Sequence, residues 1–139
     1  MSIYRFIASN KPLKEISKGF KQINKNNFII NEKELLNITN ETYDGYYSEY
    51  TNKQNVVFVE GEFKIGYKMY NKKIDVVLEY IKEHLVNNDE IEIWNIWMDD
   101  KNKEVTKTYC KLKDLNRGHI INIWCKDDFN YPECLTIYK

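Results

Sequence analysis

The chain has 139 residues, 42% hydrophobic and 30% charged, which suits one domain of roughly 100–150 residues and excludes two of ordinary size. Eleven Tyr, six Phe and three Trp exclude intrinsic disorder. Lys plus Arg equal Asp plus Glu at 21 each, which excludes a global field drawing the molecule to nucleic acid or an anionic membrane. No apolar run approaches the roughly 20 residues of a membrane span, and the first residues lack the apolar stretch of a secretory leader. Cys110, Cys125 and Cys134 form no Cys-x-x-Cys pair and no even disulfide set. The expectation is a cytoplasmic chain with reduced thiols, without membrane contact or cofactor.

In chain order, residues 3–8 are β-branched and aromatic and stop at Ser9-Asn10-Lys11-Pro12, the pattern of a first strand. Leu13, Ile16, Phe20 and Ile23 then recur at helical spacing, with Lys11, Lys14, Lys18, Lys21 and Lys25 centred on the opposite face. This is the pattern of a basic amphipathic helix over 12–25, opposed by Gly19 in its middle. Asn31 as cap, with Glu34 three residues on, marks a short helix near 32–38. Residues 39–54 read as a long polar loop carrying tyrosines around Asp44-Gly45. Residues 56–59 and 63–67 suggest a hairpin. The clearest helix is 72–86, with Ile74, Val77, Leu78, Ile81 and Leu85 in one stripe. Residues 90–98 are apolar on both alternating faces, as in a central strand covered twice. Strands at 104–112, 120–125 and 134–138 complete the reading, with a short turn or helix near 113–116.

Several stretches together resemble a family of small uncharacterised bacterial proteins: Ile3-Tyr4-Arg5-Phe6-Ile7-Ala8-Ser9-Asn10-Lys11-Pro12-Leu13, Ile30-Asn31-Glu32, Tyr80-Ile81-Lys82-Glu83-His84-Leu85, Asp89-Glu90-Ile91-Glu92-Ile93-Trp94-Asn95-Ile96-Trp97 and Leu135-Thr136-Ile137-Tyr138-Lys139. The resemblance spans most of the chain and implies one cytosolic α+β domain. It implies no activity, ligand or catalytic residue.

Three constellations are candidates for function. Tyr43, Tyr46, Tyr47 and Tyr50 combine large contact area with few rotors to freeze, the composition of a protein-binding loop; the bland alternative is rings packed on the core. Asn95-Ile96-Trp97-Met98-Asp99-Asp100 is echoed by Asn122-Ile123-Trp124-Cys125-Lys126-Asp127-Asp128. If 104–112 pairs antiparallel with a strand on each side, Asp99, Asp100, Asp127 and Asp128 gather at one sheet end, where carboxylates suit Mg²⁺ and phosphate chemistry. Against this, Asp is a common turn residue and Lys101, Lys103 and Lys126 neutralise the pairs. Finally, residues 1–30 carry a net charge of +5, and Lys11, Lys14, Lys18, Lys21 and Lys25 on one helix face would bind nucleic acid weakly; solvated lysines over a core stripe are the commoner explanation of such a pattern. His84 and His119 lack metal-ligand spacing, and a Cys–His nucleophile pair depends on reach that sequence does not give. No glycine-rich phosphate loop and no Gly-x-Ser-x-Gly is present.

The sequence therefore leads to a single α+β domain over 1–139, a mixed and mostly antiparallel sheet of five to seven strands with one main helix at about 72–86, ferredoxin-like being one arrangement. Function is open among three classes: a non-catalytic module binding a protein partner through the tyrosines, a metal-assisted phosphate or nucleotide hydrolase using the aspartates, and a nucleic-acid binder using the lysines.

Overall fold

Alternating β-branched and aromatic residues build the sheet, and their burial decides where it sits. The computed structural model describes residues 3–16, 20–24, 27–30, 37–40, 49–60, 63, 68–97, 104–126 and 131–139. The elements are β1 (Ile3–Ser9), β2 (Phe20–Asn24), β3 (Asn27–Ile30), β4 (Asn37–Thr39), β5 (Asn55–Glu60), α1 (Lys68–Leu85), β6 (Glu90–Trp97), β7 (Thr106–Lys111), a 3₁₀ turn (Leu112–Asp114), α2 (Arg117–Trp124) and β8 (Glu133–Tyr138). Six strands form one sheet in the order β4-β5-β1-β6-β8-β7, and β2 and β3 pair separately. Every neighbouring pair in the large sheet is antiparallel except β7 with β8. The chain is thus a single α+β domain with a mixed sheet.

Side chains on the two sheet faces have different cover. On one face Ile7, Val57, Ile91, Ile93, Leu135 and Ile137 pack with Ile74, Val77, Tyr80, Ile81 and Leu85 of α1 and Ile120, Ile123 and Trp124 of α2. On the other, Phe6, Ala8, Val56, Phe58, Trp94, Ile96 and Cys134 form a second cluster, with Tyr4, Tyr50 and Val105 against it. The cross-strand partners Phe6 and Trp94 stack with centroids 5.6 Å apart and planes 6° from parallel. β6 is covered on both faces, as its doubly apolar pattern requires. α1 leads from β5 to β6 with β1 lying between them, a split crossover of the type that a ferredoxin-like fold uses twice. The second crossover, through α2, joins the adjacent strands β7 and β8 instead.

Several local expectations change. The basic helix over 12–25 is not formed by the described residues: Ile16 bridges Ile38 and residues 20–24 are strand β2. Gly19 and the low intrinsic stability of a short undocked helix favour the extended alternative. The helix near 32–38 ends instead in β4, and residues 31–36 lie outside the described residues. β5 has β1 on one side and β4 on the other, so the expected hairpin does not pair it with 63–67, of which 64–67 lie outside the described residues. α1 begins four residues before the expected start. Residues 120–125 are not a strand. Residues 120–124 belong to α2 and Cys125 is its C-cap; Asn116 caps the start by accepting from the Gly118 N–H at 2.8 Å, and Leu115 and Ile120, both buried, occupy the two positions of a hydrophobic staple. Among the described residues β7 consequently has one strand neighbour, not two.

Candidate functional site

The two edges of the sheet are treated differently. At the β4 edge, Ile16 and Ile38 exchange two backbone hydrogen bonds of 2.9 and 2.7 Å, which covers that side. At the other, β7 pairs with β8 alone among the described residues. The Thr106 N–H donates to Pro132 O at 2.8 Å, so Thr106 points its backbone groups inward. By strand alternation Thr108 and Cys110 do the same, and Lys107, Tyr109 and Lys111 turn their N–H and C=O groups to the open side. The same three residues share one face, and Tyr109 is 66% exposed. Neither Lys107 nor Lys111 makes an ion pair with a described residue. Beyond the strand end, Lys111, Lys113 and Lys139 surround Leu112 in a shallow hollow of about 470 Å³. Among the described residues the edge is a run of unpaired backbone groups carrying an exposed ring between two cations, continued by further cations.

Of the tyrosine group, Tyr50 is half-buried and packs on Trp94 with centroids 6.0 Å apart. Next to it Thr51 donates to Glu92 at 2.5 Å and Lys53 pairs with Glu90. This ring covers the second core cluster. Tyr43, Tyr46 and Tyr47 lie outside the described residues, as do Asp99, Asp100, Asp127 and Asp128. The geometry invoked to gather those aspartates fails in two respects: the second echo runs out of a helix and not a strand, and β7 pairs, among the described residues, with β8 alone and parallel to it. Among the described residues no group of three His, Cys, Asp or Glu is placed to hold a metal ion, and no helix is long and apolar enough to cross a membrane.

The lysine face is dispersed. Lys11 and Lys14 are exposed on an extended segment, Lys21 is on β2, and Lys18 and Lys25 lie outside the described residues. Lys14 is engaged with α1: its Nζ pairs with Glu83 at 2.7 Å, its N–H donates to His84 Nε2 at 3.2 Å, and its carbonyl accepts from the Tyr80 hydroxyl at 2.6 Å. Burial pushes the Tyr80 phenol up, helped by Glu83 and Glu15. His84 Nδ1, 2.7 Å from Tyr80 O, completes the attachment.

Cys110 and His119 do come together, with Sγ 3.4 Å from Nε2. The Asn116 N–H donates to Nδ1 at 3.2 Å, which leaves the proton of the neutral ring on Nε2. That N–H donates to sulfur while the thiol donates to Lys111 O at 3.2 Å, so this tautomer has no lone pair with which to take the thiol proton. Burial, with Asp114 nearby, pushes the Cys110 thiol up. The pair secures the α2 cap and is not an activated nucleophile. Burial likewise raises Cys125, and raises Cys134 to about 12.

Sequence reasoning missed Arg5 and Asn95. Arg5 Nε donates to Trp124 O at 3.1 Å and Asn95 Nδ2 to Ile123 O at 2.7 Å, so two sheet residues satisfy the last carbonyls of α2. A lone Arg in an apolar strand and an Asn in a doubly buried one were the available signals. No protein-family model matches the chain, and no curated protein or solved structure is detectably similar to it.

Proposed function

We propose that the chain is a non-catalytic interaction module that takes an extended, acidic segment of a partner protein as an added strand along β7. The observation that carries this reading is the edge left without a second strand among the described residues, where the backbone groups of Lys107, Tyr109 and Lys111 face outward around an exposed tyrosine. Strand addition draws affinity from main-chain hydrogen bonds and specificity from alternate side chains. Lysines on an edge strand also discourage self-association. Two copies paired antiparallel through β7 and centred on Tyr109 would set Lys107 against Lys111, a like-charge opposition, whereas a strand with Glu or Asp at alternate positions meets cations on the strand and in the hollow beyond it. In this reading Tyr109 of β7 is the contact ring; Tyr50 packs on Trp94, and Tyr43, Tyr46 and Tyr47 lie outside the described residues.

The test is titration of the full chain with a peptide of alternating Val and Glu, against its Val–Lys counterpart. The expected result is saturable binding of the acidic peptide alone, weakened at least about tenfold in Lys107→Glu/Lys111→Glu and reduced by added salt. Equal binding of both peptides, or binding indifferent to the double variant, overturns the reading.

A further inference from the structure

A cavity of about 240 Å³ lies behind β7, on the sheet face that carries the helices. Thr106 and Thr108 of β7, Glu133 of β8, and His119, Asn122 and Lys126 on and just after α2 contribute its polar lining. Two of the lining residues, Thr106 and Glu133, belong to a longer row of polar residues. In cross-strand register Arg5 faces Asn95, Asn95 faces Glu133, and Glu133 faces Thr106, so four polar side chains cross four neighbouring strands at one end of the sheet. Arg5 and Asn95 hold the α2 carbonyls, and Glu133 Oε1 accepts from Lys126 Nζ at 2.6 Å. The second Glu133 oxygen, Oε2, and Asn95 Oδ1 are buried, and neither receives a hydrogen bond. Asn95 Nδ2 donates to Ile123 O, which fixes the amide orientation and makes Oδ1 a true acceptor.

A buried carboxylate oxygen without a donor is costly. On its β6 side Glu133 meets another unsatisfied acceptor, and the adjacent ammonium is already on Oε1. Glu133 lines the cavity, so a molecule held there can supply the missing donor. A simple cation there would lie against Lys126, and a simple anion would lie against Glu133. A molecule with both charges matches both walls. We infer that the cavity binds a small zwitterion of amino-acid size, its ammonium on Glu133 and Thr106 and its carboxylate on Lys126 and Asn122. The volume agrees, being below the roughly 300–1,000 Å³ of pockets for drug-sized ligands.

The experiment is a titration of the ¹⁵N-labelled full chain with glycine, L-alanine and L-glutamine at millimolar concentration, alongside ethylammonium and acetate, which each carry half of the recognised charge. The expected result is saturable shifts of backbone amides at 106–108, 119–126 and 133 with at least one amino acid and with neither half-molecule. Glu133→Gln and Asn122→Ala are each expected to weaken binding about tenfold, the scale of one hydrogen bond to a charged group. Asn122 is exposed on α2, so its variant tests the site even if Glu133→Gln does not fold. Absence of saturable shifts, which means that the cavity holds only water, overturns the inference. So do equal shifts with ethylammonium or acetate, or an affinity unchanged in Asn122→Ala.

Discussion

At the scale of single residues, α2 is held at its C-terminus by the distant Arg5 and Asn95 and at its N-terminus by its own cap. At the N-terminus Asn116 caps the helix and His119 accepts from the cap's own N–H. Asn116→Ala is expected to lower stability by about 0.5–2 kcal/mol in denaturant unfolding. Arg117 at the first helical position places a cation where the helix dipole disfavours one. Its two hydrogen bonds to Asp75 of α1, 2.7 and 2.6 Å, offset this and tie the helices together. The hydrogen bond from Arg117 holds the Asp75 carboxyl below the ordinary carboxylate range. A depressed carboxylate pKa stabilises the fold above its unfolded value and loses that contribution as pH falls through the folded one. The melting-point difference between the native chain and Asp75→Asn is therefore expected to be small, because both groups are about half exposed. It should be present at neutral pH and vanish in acid; a difference that grows in acid would refute the assignment. With all three thiols raised, maleimide labelling at pH 7 should be slow in the folded chain and fast after denaturation. Rapid labelling of Cys110 in the folded chain would show that His119 activates it.

At the scale of elements, legibility follows from how much of each element's shape is decided locally. The stripe Ile74, Val77, Leu78, Ile81 and Leu85 runs along most of α1, so its period declares the helix and only the start is misplaced. α2 has eight residues, three of them the β-branched Ile120, Ile121 and Ile123, whose strand propensity outweighs any period so short. The signal that identifies it is the cap: Asn116 with His119 three residues on, flanked by Leu115 and Ile120. The capping box usually carries Glu or Gln where His119 stands, which is why it reads weakly. Misreading α2 as a strand also hid the open edge, since it supplied β7 with a neighbour that does not exist among the described residues. The strand's own alternation gives a sharp contrast of substitutions. Proline at 109 removes only an outward N–H, which edge strands tolerate, whereas proline at 108 removes one directed at β8. Tyr109→Pro is expected to fold and to lose the acidic peptide, and Thr108→Pro, which loses a ladder hydrogen bond, to melt at a clearly lower temperature than Tyr109→Pro. Equal destabilisation of the two in thermal melts would reverse the assignment of inward and outward groups.

At the scale of the whole molecule, zero net charge conceals an uneven distribution, and composition alone could not locate it. Glu90 and Glu92 on β6 are occupied by Lys53 and by Thr51 and Trp94, while the cations of β7 stand apart from them by two strand positions. The fold class was legible because alternation and one strong amphipathic stripe are enough for a sheet with a helix on it. The candidate edge was not, because it depends on strand order, and strand order here is set by long-range pairings such as β1 between β5 and β6. The most direct measurement is residue-resolved amide hydrogen exchange of the full chain, free and with the Val–Glu peptide. The open-edge account expects Thr108 and Cys110 to be protected in both states, and Lys107, Tyr109 and Lys111 to exchange rapidly when free and slowly when bound. Protection of those three amides in the free chain, or peptide binding that leaves their exchange unchanged, would contradict it.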